Sequence, residues 1–211
     1  MSEHGEWKSA APEDACAWLR GSRATWWVAG GWALDLYLGR KTRDHVDIDI
    51  GCFRPDFPEL RAALDRWEVH VASEGNLRAL SSEEEPRAED HVLWCRPEGS
   101  PHWELEIMLE EREGEDWVFR RDPAVRMPAE RLALTTEKGT PFVRPEVQLL
   151  YKAKEARQKD ANDWKAVLPS LDRDALAWIR SALLRAHPTH PWIAAIDRAG
   201  CSARFDGARG L

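Results

Sequence analysis

The sequence has 211 residues, a length typical of one domain or of one domain with a small addition. Its 30 lysines and arginines against 37 aspartates and glutamates give a formal net charge of -7. We therefore expect no broad basic surface and no stable complex with nucleic acid. A charged fraction of 32% and a hydrophobic fraction of 43% exclude an intrinsically disordered or membrane-embedded chain.

The sequence has no recognisable targeting signal. No basic-then-apolar segment stands near its start, and no window approaches the roughly 18 apolar residues of a membrane span. The four cysteines, Cys16, Cys52, Cys95 and Cys201, are scattered and form no CxxC pair. This spacing favours free thiols over a disulfide framework or a zinc site. We expect a cytoplasmic protein without a membrane partner.

The predicted elements of residues 1–140 mix helices and strands. Glu13 and Asp14 suit a helix N-terminus, and Gly39 stands where a helix C-cap is expected. In chain order, the pattern predicts a helix over 12–19, a strand over 25–29, a helix over 32–38, a strand over 46–50, a helix over 55–67 and strands over 68–72, 91–96, 103–109 and 117–120.

After Pro145 the predicted elements are mostly helices. Proline is favoured at the first position of a helix, so a helix is expected to begin there. Helices are predicted over 146–157, 161–168, 172–186 and 192–198. The helix over 172–186 is the most amphipathic, and its apolar side carries Leu176, Ile179, Leu183 and Leu184. The sequence therefore predicts an α/β (α+β) chain with two domains, a mixed domain over 1–140 and a small helical domain over 141–211.

Two aspartates on one predicted strand form the sharpest motif. Asp47 and Asp49 are two residues apart, so on a strand their side chains share one face. The residues between and beside them, Val46, Ile48 and Ile50, are then expected to face the core. Like charges this close repel each other, and a divalent cation such as Mg²⁺ removes the conflict. The alternative is a half-exposed strand with an acidic outer face.

A glycine pair and a basic loop precede the two aspartates. Gly30-Gly31 ends a predicted strand and begins a helix, a place where backbone can approach a phosphate closely. Arg43 and His45 lie in the loop between that helix and the aspartates, where they could neutralise a triphosphate. For His45, a hydrogen bond within the loop is an equally weighted alternative.

A second alternating strand supplies a third carboxylate. Leu105, Ile107 and Leu109 share one face of the predicted strand over 103–109, so Glu104 and Glu106 share the other. We prefer Glu106, which lies further into the apolar run. It could complete a two-metal site or accept a proton from an attacking hydroxyl. The alternative is a pair of solvated glutamates.

Together these motifs resemble the aminoglycoside and lincosamide nucleotidyltransferases, members of the DNA polymerase β-like nucleotidyltransferase superfamily. The sequence is most similar to aminoglycoside 2''-adenylyltransferase-like proteins, and the similarity extends over nearly the whole chain. The residues that carry it are Gly30-Gly31-Trp32-Ala33-Leu34-Asp35 and Arg43-x-His45-x-Asp47-Ile48-Asp49, with weaker matches through 94–96, 103–109, 117–121, 145–154, 159–160 and 190–192.

The resemblance implies a mixed sheet that bears three carboxylates, flanked by helices, with the C-terminal helical domain closing a cleft. Asp47 and Asp49 match the metal-binding aspartates, and Glu106 best matches the third carboxylate. Gly30 and Gly31 match the phosphate-contacting turn, although the superfamily commonly has serine at the position of Gly31.

The resemblance also implies a phosphate-binding lysine on the helix after Pro145. Lys152 and Lys154 are the candidates, and we prefer Lys152. Arg43 and His45 are the other candidate nucleotide-binding side chains.

The implied activity is transfer of a nucleoside monophosphate, AMP foremost, from a Mg-NTP to a hydroxyl of a small molecule, with release of pyrophosphate. Two Mg²⁺ ions are expected, with ATP or another NTP as co-substrate. Because acidic surface remains after these bind, a cationic acceptor such as an aminoglycoside is expected, or else a lincosamide. The alternatives are a toxin-type or RNA-modifying nucleotidyltransferase and a non-catalytic nucleotide-binding module. Trp32 and Trp103 are the tryptophans expected beside the site.

Overall fold

The computed structural model describes residues 5–155 and 157–206, and side chains as far as residue 198. Its strands are β1 (Glu6–Trp7), β2 (Trp26–Val28), β3 (Ile48–Phe53), β4 (Trp67–Ser73), β5 (Asn76–Ala79), β6 (Val92–Pro97), β7 (His102–Trp103), β8 (Leu105–Glu113), β9 (Asp116–Val118), β10 (Arg126–Pro128), β11 (Ala133–Thr135) and β12 (Pro141–Val143). Its α-helices are α1 (Pro12–Trp18), α2 (Gly30–Leu38), α3 (Phe57–Ala63), α4 (Pro145–Lys152), α5 (Gln158–Val167), α6 (Arg173–Ala186) and α7 (Pro191–Asp206).

A large mixed sheet forms the centre of the molecule. Its strands follow the order β11-β12-β2-β3-β8-β6-β4-β5, and β9 and β10 extend it from the end of β8. Strand β3 lies between β2, to which it runs antiparallel, and β8, to which it runs parallel. This mixed sheet with flanking helices confirms the predicted fold class.

The apolar residues of the central strands explain why these strands are internal. On β3, Ile48 and Ile50 are fully buried, and on β8 the predicted face of Leu105, Ile107 and Leu109 is buried as well. With these side chains packed in the core, the alternate residues of both strands face the other side of the sheet. The carboxylates of β3 and β8 are therefore brought to one surface.

Helix α2 connects the sheet to the C-terminal helices. It follows directly on β2, and Gly39 ends it in the left-handed conformation at φ 65°, as predicted. Helices α4 and α5 pack against α2. The last strand of the sheet, β12, pairs with β2 at Phe142, two residues beyond position 140, and in the described part of the chain only helices follow it. None of the helices in the described residues is sufficiently long and apolar to cross a membrane.

Several predicted boundaries were wrong. Strand β3 begins at Ile48 rather than at Val46, and Val46 is 64% exposed instead of facing the core. The helix predicted over 55–67 stops at Ala63, and the one predicted over 146–157 stops at Lys152. On α6, Leu184 is 43% exposed although the pattern placed it on the apolar side.

Strand β5 was not predicted at all. It forms a hairpin with β4 across a tight turn at Glu74 and Gly75, both with positive φ.

Candidate active site

A cavity of about 710 Å³ opens on the face of the sheet that carries the acidic residues. The start of α2, the loop before β3, the exposed face of β8 and the segment from α4 to α5 form its walls. All eight predicted site residues line it: Gly30, Gly31, Arg43, His45, Asp47, Asp49, Glu106 and Lys152. Residues far apart in the sequence are thus brought together by the parallel pairing of β3 with β8.

Two of the three carboxylates are direct neighbours across the sheet. Asp49 on β3 is paired in register with Glu106 on β8. Asp47 lies just before β3 and is partly buried. The indole of Trp94, on the other side of β8, donates a hydrogen bond of 2.9 Å from Nε1 to Glu106 Oε2. This bond fixes one oxygen of Glu106.

Charge in this carboxylate group is poorly compensated. Burial, with the charge of Asp47 as the second cause, raises the pKa of Asp49 to about 7. Burial and the charge of Asp49 likewise raise the pKa of Glu106 to about 8, and the Trp94 hydrogen bond only partly opposes them. A site that binds a cation is expected to show this excess of buried negative charge.

The glycine pair is packed so closely against the site that a Cβ at either position would force neighbouring side chains to move. Gly30 has φ 64°, and a Cβ there would collide with the Asp49 carboxylate. A Cβ on Gly31 would collide with the Arg43 guanidinium and the His45 ring. The serine common in the superfamily would therefore require the Arg43 and His45 side chains to move at position 31 of this chain.

The loop before β3 is held by buried polar contacts. His45 is buried, and its Nε2 lies 2.6 Å from Asp35 Oδ2 on α2. Its ring stacks on Trp32 with 4.3 Å between the ring centres. Burial lowers the pKa of His45, and the hydrogen bond with Asp35 opposes this effect. The His45 ring thus has a structural hydrogen bond, but its partner is Asp35 on the helix and not a group within the loop, as the alternative prediction had it.

Lys152 is enclosed by two aspartates of α5. Its Nζ lies 3.1 Å from Asp160 Oδ1 and 2.8 Å from Asp163 Oδ2, and all three side chains are buried. Asp163 also accepts a hydrogen bond of 3.1 Å from Arg43 Nε. The positive charge of Lys152 is therefore neutralised by two aspartates of the protein. The sequence had led us to expect direct contact of Lys152 with a phosphate.

The cavity also contains groups that the sequence reading did not assign. Gln148 on α4 accepts the Gly30 N–H at 2.8 Å through Oε1 and fixes the glycine turn. Lys159, near the start of α5, is exposed and acts on both Asp49 and Glu106 electrostatically. Periodicity could not identify Lys159, because a break after Lys152 separates α4 from α5.

Two residues expected beside the site lie elsewhere. Glu104 falls in the break between β7 and β8 and pairs with Lys8, whose Nζ lies 3.1 Å from Oε1. Trp103 is buried under the Arg96 guanidinium rather than in the cavity wall. The charge of Glu104 is therefore compensated by Lys8 outside the cavity.

The donor set suits a hard divalent cation. Carboxylate oxygens are what Mg²⁺ prefers, and it commonly takes only one or two of them, with phosphates and water completing the shell. In the residues that the structure describes, no three His, Cys, Asp or Glu side chains converge closely enough to hold a metal alone. Asp47, Asp49 and Glu106 thus fit a site to which a nucleotide also contributes ligands.

A family model described as aminoglycoside-2''-adenylyltransferase matches residues 13–167, which include the whole carboxylate group. The chain belongs to this family. The resemblance found in the sequence is thereby confirmed, and the matched range ends at the last residue of α5.

The curated relatives match a shorter segment than the family model does. Two 2''-aminoglycoside nucleotidyltransferases, from Klebsiella pneumoniae and Escherichia coli, are each 35% identical to this chain over 71 residues. That segment covers 34% of this chain and 37% of each relative. The alignment thus spans little more than a third of the length of these relatives.

Solved structures match the fold over a longer range. The solution structure of the antibiotic-resistance factor ANT(2'')-Ia superposes with a TM-score of 0.55 and 16% identity, over 92% of this chain and 94% of that one. The crystal structure of ANT(2'')-Ia with adenylyl-2''-tobramycin gives 0.54 and 16%, over 82% and 95%. At these identities the likeness supports the fold.

Proposed function

We propose that this chain is a metal-dependent nucleotidyltransferase that transfers AMP from Mg-ATP to a hydroxyl of a small molecule and releases pyrophosphate. The observation that carries the proposal is the pairing of Asp49 with Glu106 in one cavity beside the glycine turn. The family model supports the same activity, and the named relatives support an antibiotic, an aminoglycoside in the first place, as acceptor.

The carboxylates would hold the nucleotide through metal. Asp47, Asp49 and Glu106 would bind two Mg²⁺ ions. When bound, these ions would neutralise the phosphates and favour in-line attack at the α-phosphorus. Trp94 holds Oε2 of Glu106, so its Oε1 is the atom we assign to accept the proton of the attacking hydroxyl. Most of the rate would come from positioning and charge neutralisation.

The phosphates would lie along the glycine turn. Gly30 and Gly31 allow close approach of backbone, and Arg43 stands beside them with its guanidinium fixed by Asp163. We assign direct phosphate contact to Arg43 and to the exposed Lys159. Lys152 would support the site by holding Asp163, and His45 by anchoring the loop to α2.

The C-terminal helices would form the second wall. We propose that the sheet through β12 is the nucleotidyltransferase domain and that the helices from α4 onward form a domain that closes the cleft. The Arg43–Asp163 bond joins the two across the cavity. An enzyme that consumes ATP would act in the cytoplasm.

The test is Asp47→Ala with Mg-ATP and a panel of aminoglycosides and lincosamides. Loss of one preorganised charge in such a site should lower pyrophosphate release by more than about 100-fold. The control is Asp44→Ala, three residues earlier in the same loop, where the carboxylate is exposed and pairs with Lys41. A folded Asp47→Ala protein with wild-type activity would refute the site.

A further inference from the structure

One buried side chain of the cavity wall has a polar atom without a partner. Gln148 on α4 is 6% exposed and lines the cavity beside the glycine turn. Its Oε1 accepts the Gly30 N–H at 2.8 Å. This bond fixes the orientation of the side-chain amide, because an NH₂ group donates hydrogen bonds and does not accept them. The amide nitrogen, Nε2, is therefore the atom that Gly30 does not engage.

The amide nitrogen of Gln148 is an open donor. Among the described residues, no group accepts a hydrogen bond from Nε2. In the same part of the chain, the fully enclosed side-chain atoms without a partner are Glu146 Oε2, His187 Nε2 and His190 Nε2. Nε2 of Gln148 is not among them, so it is reached from the cavity. Buried polar groups are normally hydrogen-bonded, so this exception in a cavity wall indicates a donor kept for a ligand.

The surroundings of this amide favour an anionic ligand. The turn that Gln148 holds is the start of α2, and the N–H groups of a first helical turn favour negative charge. Asp49 lies directly beside the turn, since a Cβ on Gly30 would collide with its carboxylate. Lys152 is on the same face of α4, four residues on, and is already paired with two aspartates. Of these two α4 side chains, Gln148 is thus the one with a free donor.

The order of the strands indicates which part of the nucleotide lies at this amide. Strand β3, with Asp49, separates Glu106 on β8 from the glycine turn that follows β2. In the proposed reaction the attacking hydroxyl lies beside Glu106. The attacking and leaving oxygens are roughly in line in phosphoryl transfer. The leaving pyrophosphate is therefore expected on the opposite side, at the glycine turn and Gln148.

We propose that Gln148 binds the nucleotide by donating from Nε2 to an oxygen of the leaving pyrophosphate. This inference rests on the proposed transferase function. One side-chain amide then holds the glycine turn through Oε1 and the phosphates beside that turn through Nε2. Gly31 has no side-chain donor, and Gln148 supplies one. Negative charge grows on the leaving group during transfer, so the hydrogen bond strengthens as the bond to the α-phosphorus breaks.

The test measures binding of Mg-ATP, Mg-pyrophosphate and Mg-AMP to the full chain and to Gln148→Glu by titration calorimetry. The introduced carboxylate keeps an oxygen for the Gly30 N–H but has no donor when ionised. The Kd for Mg-ATP and for Mg-pyrophosphate should rise about 10- to 100-fold, the loss expected for a hydrogen bond to a charged group. The Kd for Mg-AMP should change much less, because AMP lacks the pyrophosphate. This arm also measures the general effect of the added charge.

A second variant removes the amide without adding charge. Gln148→Met has neither donor nor acceptor, so the Kd for Mg-ATP should rise about 10-fold or more. Its Tm should also fall by a few degrees, because the Gly30 N–H loses its partner. Gln158→Met is the matched control, since Gln158 is the other glutamine of the chain and is exposed on α5. It should leave every Kd and the Tm unchanged.

Three results would overturn the inference. The first is wild-type affinity for Mg-ATP in Gln148→Glu with a loss in Gln148→Met, which would leave Gln148 only its contact with Gly30. The second is equal weakening of Mg-ATP and Mg-AMP in both variants. The third is unchanged affinity for Mg-ATP in both.

The same measurements separate this inference from the proposed function. Binding of Mg-ATP that depends on Gln148, without transfer to any hydroxyl acceptor, would refute the proposed function and leave the phosphate contact standing. Transfer at the wild-type rate in both Gln148 variants would refute the contact alone. A wild type that binds neither Mg-ATP nor Mg-pyrophosphate would refute both.

Discussion

Two pairs of carboxylates, one on the sheet in the cavity wall and one on α5 behind Lys152, differ in the direction of their pKa shifts. Asp49 and Glu106, on the sheet, have raised pKa values, because burial and mutual repulsion outweigh their contacts. Asp160 and Asp163, on α5, have lowered pKa values. Burial alone would raise those two, but hydrogen bonds and charges of Arg43, Arg157 and Lys152 overcome it.

The comparison separates structural charge from charge held ready for a ligand. Asp160 and Asp163 on α5 form ion pairs with lysine and arginine side chains of the protein, so their charges stabilise the fold without a ligand. Asp49 and Glu106 on the sheet lack such partners. Without a bound ligand, the folded protein is therefore more stable when these two carboxyl groups are neutral than when they are ionised. Missing compensation of this kind is expected where a cation is to be bound.

Replacing one carboxylate of the sheet should have the largest effect and separate activity from stability. Asp49→Asn should lower transfer by more than about 100-fold, since a charge that acts on the nucleotide is lost. The same change removes a buried repulsion, so Tm should rise by about 2–4 °C, the shift that about 1 kcal/mol gives at this size. Asp160→Asn is the paired variant and should lower Tm. If Tm changed in the same direction in both variants, the contrast between the carboxylates of the sheet and those of α5 would be refuted.

Opening the compensated network should cost stability next. Lys152→Met leaves Asp160 and Asp163 without their shared buried cation, which should lower the free energy of unfolding by about 3 kcal/mol. Thermal denaturation should show a Tm lower by about 6–12 °C. Lys154→Met, at an exposed position two residues on, should shift Tm by no more than about 1 °C. An equally small change of Tm in Lys152→Met would show that the ion pairs of Asp160 and Asp163 do not stabilise the fold.

The dependence of stability on pH should be the smallest effect and the most specific to the sheet. The folded chain keeps protons on Asp49 and Glu106 that the unfolded chain, with pKa values of 3.8 and 4.5, releases. Their contribution is therefore lost as pH rises through about 7 to 8. Tm of the metal-free protein should fall by a few degrees between about pH 6 and about pH 8.5. Asp49→Asn should flatten this slope, and an unchanged slope would contradict the assignment.

Local pattern was sufficient for the residues that strand geometry controls. The two-residue period of β8 placed Leu105 and Ile107 in the core and Glu106 on the open face. The glycine turn and Gly39 likewise marked both ends of α2. These features depend on a few neighbouring residues, so the sequence contains what is needed to predict them.

Contacts between distant residues decided the rest. Glu104 leaves the site because Lys8, 96 positions away, pairs with it. Lys152 is neutralised by aspartates on the next helix, and no period within α4 indicates this. Val46 is exposed because the loop is anchored by His45 on α2 and joins the sheet only at Ile48. Predicting such contacts requires the tertiary arrangement itself.

The bond between Arg43 and Asp163 also has a consequence in time. The two residues are 120 positions apart, so a ribosome adding about 5–20 residues per second makes the second one roughly 6–24 s after the first. Once Glu106 has been made, the nascent chain contains all three acidic groups, but it still lacks the carboxylate of Asp163 that holds Arg43 beside the glycine turn. The growing polypeptide therefore carries an unfinished nucleotide pocket until most of its synthesis is complete.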